Sequence, residues 1–152
     1  MTQEPWRVEI AGKSISPYCP AVETWQALAG VGATVTFTGQ VRRVSALGDV
    51  EAIDLEHYPG MSERVLRQLL RDAESRWHIA AGEIVHRIGY VPAGETIVRV
   101  SVASAHRREA FDAAAYVMDA LKTSAPFWKR EWLNGQAHWV DAPNAHLPKP
   151  RA

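Results

Sequence analysis

Residues 104–140 read SAHRREAFDAAAYVMDALKTSAPFWKREWLNGQAHWV, and the fold class turns on this stretch. Between about Ala105 and Thr123, the residues Ala110, Ala114, Val117 and Leu121 recur at three- and four-residue steps, giving a helix with one apolar stripe. Ser104 stands where an N-cap is expected. Downstream, Phe127–Leu133 and Gln136–Val140 flank Asn134-Gly135, the strongest short hairpin signal in the chain. A long helix leads directly into an antiparallel pair.

The rest of the chain repeats both themes. Glu83–Val91 and Glu95–Ser104 flank Pro92-Ala93-Gly94 and read as a second hairpin. Trp6–Ile10 alternates, Ala33–Thr38 is rich in β-branched residues, and Val50–Tyr58 sets Ile53, Leu55 and His57 on one face. Met61, Val65, Leu69, Ala73 and Trp77 fall four apart beside Leu66 and Leu70, so Met61–Trp77 is an amphipathic helix with a solvated charged face. Ala21–Ala29 makes a short helix before Gly30, and Val44–Asp49 around Gly48 reads as a mobile loop. Helices and strands interleave, but the hairpins make the pairing mostly antiparallel. The class is therefore α+β: one domain over residues 1–140 with three main helices. Residues 141–152 hold three prolines and read as a tail that orders only against something else.

Composition narrows the function. The 152 residues carry 17 Lys+Arg and 17 Asp+Glu, a formal net charge of zero, which disfavours a general nucleic-acid binder. A local basic pocket remains open, because clustering rather than totals sets a pocket's field. No apolar run approaches the roughly 18 residues of a membrane helix, and the N-terminus lacks signal-peptide character. The expected location is the cytoplasm, with no membrane partner. The single cysteine, Cys19, can form neither an internal disulfide nor a CxxC pair and reads as a loop thiol. The six histidines show no HxH or HxxxH spacing, so neither a metal site nor a cofactor is expected. Dinucleotide, P-loop and serine-hydrolase motifs are absent from the sequence.

What remains is a set of cations at element ends. Gln40-Val41-Arg42-Arg43 follows a strand. His106 and Arg107 fall at the start of the long helix, where free N–H groups and the dipole favour an anion. An ordinary exposed helix start is the competing reading. Lys122 lies near the other end of that helix, on a face with Met118, Phe111 and Ala115. A lysine on a partly apolar stripe suits acid/base or nucleophilic work, although a lysine there also complements the dipole. In Phe127-Trp128-Lys129-Arg130-Glu131, alternation sends Lys129 and Glu131 to one face of a strand, where Glu131 could orient Lys129.

Together, and in this order, these motifs resemble the MoaE family, the catalytic large subunits of molybdopterin synthase. The resemblance rests on Thr36-Phe37-Thr38-Gly39-Gln40-Val41-Arg42 and Leu55-Glu56-His57-Tyr58-Pro59-Gly60-Met61. It continues through His86-Arg87-Ile88-Gly89, Gly94-Glu95 and Ser104-Ala105-His106-Arg107. Met118-Asp119-Ala120-Leu121-Lys122-Thr123 and Ala125-Pro126-Phe127-Trp128-Lys129-Arg130-Glu131 complete it, so that it spans residues 6–140.

The resemblance implies an α/β-hammerhead type of α+β fold. It also implies a sulfurtransferase that converts cyclic pyranopterin monophosphate to molybdopterin. The implied partners are a second copy of the chain and, on each copy, a small ubiquitin-like carrier whose C-terminal Gly-Gly thiocarboxylate delivers sulfur, giving a heterotetramer. The implied catalytic residues are Lys122 and Lys129. Implied substrate contacts are Gln40, Val41, Arg42, His106, Arg107, Lys122, Lys129, Arg130 and Glu131, with Phe37 and Met118 in support. Position 40, often lysine in the family, is glutamine here. An outside sulfur source fits the sequence, because Cys19 alone could not supply two sulfurs without recharging. The competing reading is a non-catalytic module that docks a ubiquitin-like partner; it expects Lys122 or Lys129 to be lost, and both are present.

Overall fold

The computed structural model describes residues 5–140; the proline-containing tail expected at 141–152 lies outside them. The chain runs β1 (Trp6–Ala11), α1 (Ala21–Trp25), β2 (Ala33–Gln40), β3 (Val44–Ser45), β4 (Gly48–Asp49), β5 (Ala52–His57), α2 (Met61–Trp77), β6 (Ala81–Arg87), β7 (Gly89–Pro92), β8 (Thr96–Ser104), α3 (Arg107–Ser124), β9 (Phe127–Leu133) and β10 (Gln136–Trp139). These strands build two four-stranded sheets, ordered β1-β6-β8-β2 and β10-β9-β5-β7, plus the small β3-β4 pair. Every pairing is antiparallel except that of β1 with β6. The expected α+β architecture is the one observed.

Both long helices pack their predicted stripes on one face of the first sheet, except that Met61, at the start of α2, is exposed. Leu66, Leu69, Leu70 and Ala73 of α2 join Ala110, Ala113, Ala114 and Val117 of α3 over Ile84, Val100 and Val102. The alanines of α3 keep that helix close to β8 and β2. At the start of α2, the Glu63 carboxylate accepts from the Gly60 N–H at 2.7 Å, satisfying a donor the helix cannot use.

The opposite face of that sheet holds a buried ion network. Glu83, fully buried, accepts from Arg99 Nε at 3.0 Å and Nη2 at 2.6 Å, and from Arg7 Nη1 at 2.8 Å. Arg99 Nη1 also donates to the carbonyls of Ser16 and Tyr18, each at 2.7 Å, so the covering segment is tied to the sheet by charge-assisted bonds. Burial alone would raise the Glu83 pKa, but the bonds from Arg99 and Arg7 outweigh it and hold the carboxyl below its ordinary range. Cys19 packs beside this network with Trp25, Ala81 and Ala103, and burial pushes its thiol up. It is the loop thiol expected, but a buried one that joins the core.

Other local expectations are also corrected. The runs 83–91 and 95–104 do pair, as β6 with β8, but the chain breaks at Ile88-Gly89. Gly89 takes φ +80°, a conformation costly for other residues, and redirects β7 onto β5 in the second sheet. Pro92-Ala93-Gly94 is therefore a crossing between sheets rather than a hairpin turn. Val44–Asp49 forms the β3-β4 pair in place of a loop. Helix α1 stops at Trp25, four residues short of its expected end. The N-cap of α3 is His106, while Ser104 stays in β8 and its hydroxyl donates to the His106 carbonyl at 2.5 Å. The Asn134-Gly135 hairpin is as expected, with φ values of 49° and 73° between β9 and β10.

The network makes a stability prediction. Glu83→Gln should leave the Arg99 guanidinium buried without its charge partner and lower the unfolding free energy by about 3–5 kcal/mol in urea titrations. Because the folded pKa is depressed, the stabilisation is complete above the ordinary carboxylate range and is lost as pH falls through it. The wild-type chain should therefore lose stability below about pH 4 more steeply than the variant. A loss under about 1 kcal/mol would mean the network is dispensable.

Candidate active site

Two short-range features deliver lysines to the same place. Helix α3 runs back along β8, returning its C-terminal end toward the first residues of that strand. It ends at Ser124 because Ala125 precedes Pro126: proline's ring disfavours helical backbone in the residue before it, and Ala125 takes φ −73°, ψ 135°. The chain then enters β9 after only Ala125 and Pro126. In β9, Phe127, Lys129 and Glu131 share one face, as the alternation predicts.

The result is a cavity of about 680 Å³ in the seam between the two sheets and the end of α3, within the size range of small-molecule sites. Gln40, Val41 and Arg42 enter from the end of β2, Met118 and Lys122 from α3, and Lys129 and Glu131 from β9, with Phe37 at the rim. Ile53, Leu55, Ile97 and Val98 supply apolar wall. Three cations, Arg42, Lys122 and Lys129, thus face one carboxylate, Glu131, against a largely apolar lining. Such a site favours an anionic, partly apolar ligand, since field lines concentrate where the walls are poorly polarisable.

Glu131 does not pair with Lys129 as expected. Its Oε2 accepts from Ser45 Oγ at 2.8 Å, tying the β3-β4 hairpin to the cavity. Neither Lys122 nor Lys129 has an ion-pair partner among the described residues. His86 also lines the cavity, its ring stacked on Phe127 with centroids 4.2 Å apart and planes at 21°. Burial lowers its pKa to about 4, and the nearby His57 adds to the shift, while a hydrogen bond to the Arg87 carbonyl opposes it.

Three sequence-marked residues do not line this cavity. Arg130 projects from the other face of β9, where Nη2 donates to Asp54 at 2.6 Å and Glu56 at 3.1 Å, and its guanidinium lies 5.0 Å from the Trp139 ring centroid. His106 and Arg107 are exposed at the far end of α3. At about 1.5 Å per residue, His106 and Lys122 stand roughly 24 Å apart along the helix. Within one chain they belong to different regions.

Comparison with known proteins decides the family. The profile of the family described as "MoaE protein" matches residues 14–124. The chain belongs to the MoaE family. A molybdopterin synthase catalytic subunit from Cereibacter sphaeroides is 50% identical over 117 residues, covering 77% of this chain and 79% of the relative. The molybdopterin cofactor biosynthesis protein E of Burkholderia multivorans superposes with a TM-score of 0.74 at 36% identity, covering 91% of this chain and 90% of that one. A molybdopterin synthase structure from Staphylococcus aureus gives a TM-score of 0.77 at 27% identity, covering 92% and 99%.

Sequence reasoning named the cations of the MoaE cavity but assigned no part to His86 or Ser45. His86 stood inside a quoted motif without a chemical role, and Ser45 stood in a segment read as a loop. Only their placement against Phe127 and Glu131 reveals them.

Proposed function

We propose how this chain performs the molybdopterin synthase reaction for which its MoaE relatives are named. Two sulfurs pass to a cyclic pyranopterin monophosphate to form the dithiolene of molybdopterin. Each arrives as the C-terminal Gly-Gly thiocarboxylate of a small ubiquitin-like carrier, and the reaction runs in the cytoplasm. The observation that carries this reading is the meeting of Lys122 and Lys129 in one apolar-walled cavity. A planar heterocycle fits the wall and its phosphate the cations. A catalytic subunit, as the relatives are called, has a companion subunit, and a carrier meets that need.

The chain's own sulfur is unsuited to the task. Cys19 is buried on the opposite face of the first sheet, away from the cavity lining, with its pKa raised by burial. Lys122 polarises the thiocarboxylate or its acyl intermediate and moves protons. Lys129 neutralises the carrier terminus or the substrate, and Glu131 sets the local charge. Arg42 holds the pterin phosphate, with Gln40 and Val41 as further substrate contacts and Phe37 and Met118 as apolar support.

His106 and Arg107 enter this scheme from a second copy of the chain. A two-fold axis can bring the start of one α3 to the end of another, uniting groups that a single straight helix keeps apart. The assembly is then a homodimer with one carrier at each site, a heterotetramer.

Two outcomes follow. Lys122→Ala should fold and bind the carrier but lose at least about 100-fold in dithiolene formation, measured by single-turnover assays. Lys122→Arg should fail as well, since arginine does not exchange its proton near neutral pH; wild-type turnover in either variant removes Lys122 from the chemistry. Mixing Lys122→Ala with Arg107→Ala chains should restore activity to about half of wild type per mixed dimer, because one of the two sites then carries no lesion. Mixed dimers that form and stay inactive would place the whole site in one chain.

A further inference from the structure

The cavity that presents Arg42, Lys122 and Lys129 also presents hydrogen-bond acceptors: the Glu131 carboxylate, the Gln40 amide oxygen and the ring of His86. His86 is the penultimate residue of β6, just before the chain leaves for the second sheet, and its ring is stacked on Phe127. Its Nδ1 is 2.8 Å from the Arg87 carbonyl, and a carbonyl only accepts, so Nδ1 carries the hydrogen. A neutral imidazole protonated at Nδ1 leaves a bare lone pair at Nε2. No hydrogen bond to Nε2 is present among the described residues, and Nε2 is not among the buried polar atoms that lack a partner. The ring is only partly buried, and it lines the cavity.

From this geometry we infer that Nε2 of His86 is an acceptor for an N–H group of the pterin ring and fixes how that ring sits in the cavity. The inference rests on the pyranopterin reading above. Its force comes from contrast. Lysine and arginine offer only donors, and Glu131 has one oxygen committed to Ser45. A reduced pterin carries several N–H donors and needs acceptors within a wall of cations. A carboxylate in the place of His86 would neutralise a lysine, whereas a neutral imidazole accepts without altering the charge balance. The depressed pKa fits the same role, since a protonated ring would lose its lone pair and add a fourth cation.

Removing the acceptor should weaken the pterin specifically. Calorimetric titration of cyclic pyranopterin monophosphate into the intact homodimer should show about a tenfold rise in Kd for His86→Phe and His86→Leu, one neutral hydrogen bond's worth. His86→Gln, which keeps an acceptor oxygen, should recover most of the affinity. Carrier binding should remain at the wild-type level in all three. The two apolar replacements differ in shape, so either one that folds gives the reading. In the unmodified protein, labelled-histidine NMR should show the unprotonated Nε2 of His86 shift on adding the pterin. Wild-type affinity in a folded apolar variant, or an Nε2 signal unmoved by bound pterin, would overturn the assignment. Failure of the wild-type protein to bind the pterin at all would overturn the substrate reading and this one with it.

Discussion

The site depends on where one helix stops. Ala125-Pro126 forces extended backbone immediately after Ser124, and without that stop α3 would carry past the seam and delay β9. Because only Ala125 and Pro126 intervene, just seven positions separate Lys122 from Lys129, yet one projects from a helix and the other from a strand. Their directions converge because β9 pairs with β5 from its first residue, Phe127 opposite His57. A lysine pair drawn from two element types is held by backbone geometry on both sides, which is the kind of preorganisation that charge stabilisation requires.

A second constraint keeps the seam open. The first sheet is interrupted twice near the cavity: the chain leaves it at Gly89, and β2 shifts register on β8 between Gly39 and Gln40 just before it ends. Residues next to these irregularities line the gap: His86 on one side, Gln40, Val41 and Arg42 on the other. The bulk of the stability comes from elsewhere. The two helices on one face and the Glu83 network on the other fasten the first sheet, so the seam can be lined by groups that contribute little to folding. Division of labour of this kind lets cations sit close together without partners.

The legible parts of the sequence were those with local periodicity or local turn chemistry. Both long helices, the alternation that pairs Lys129 with Glu131, and the Asn134-Gly135 turn depend on near neighbours in sequence. Pairing partners were not legible. Nothing in residues 83–104 distinguishes a plain hairpin from a strand that splits between two sheets, because the alternation is the same in both. The short β3-β4 pair carries too few residues for a period, and His86 gains its meaning from Phe127, 41 positions away. The cations Arg42, Lys122 and Lys129, with Gln40 and Val41 beside the first, could be named as a group because family order supplied what spacing could not. That same order marked Arg130, whose ion pairs lie on the opposite face of β9.

On the proposed reading, the chain is an enzyme whose sulfur comes wholly from outside its own residues. The direct test is mass spectrometry of cyclic pyranopterin monophosphate incubated with the Cys19→Ser chain and a carrier bearing a ³⁴S-labelled thiocarboxylate. The expected product is a pterin dithiolene with both sulfurs labelled, formed at the wild-type rate. Unlabelled sulfur in the product, or no dithiolene from a folded chain with a bound carrier, would contradict it.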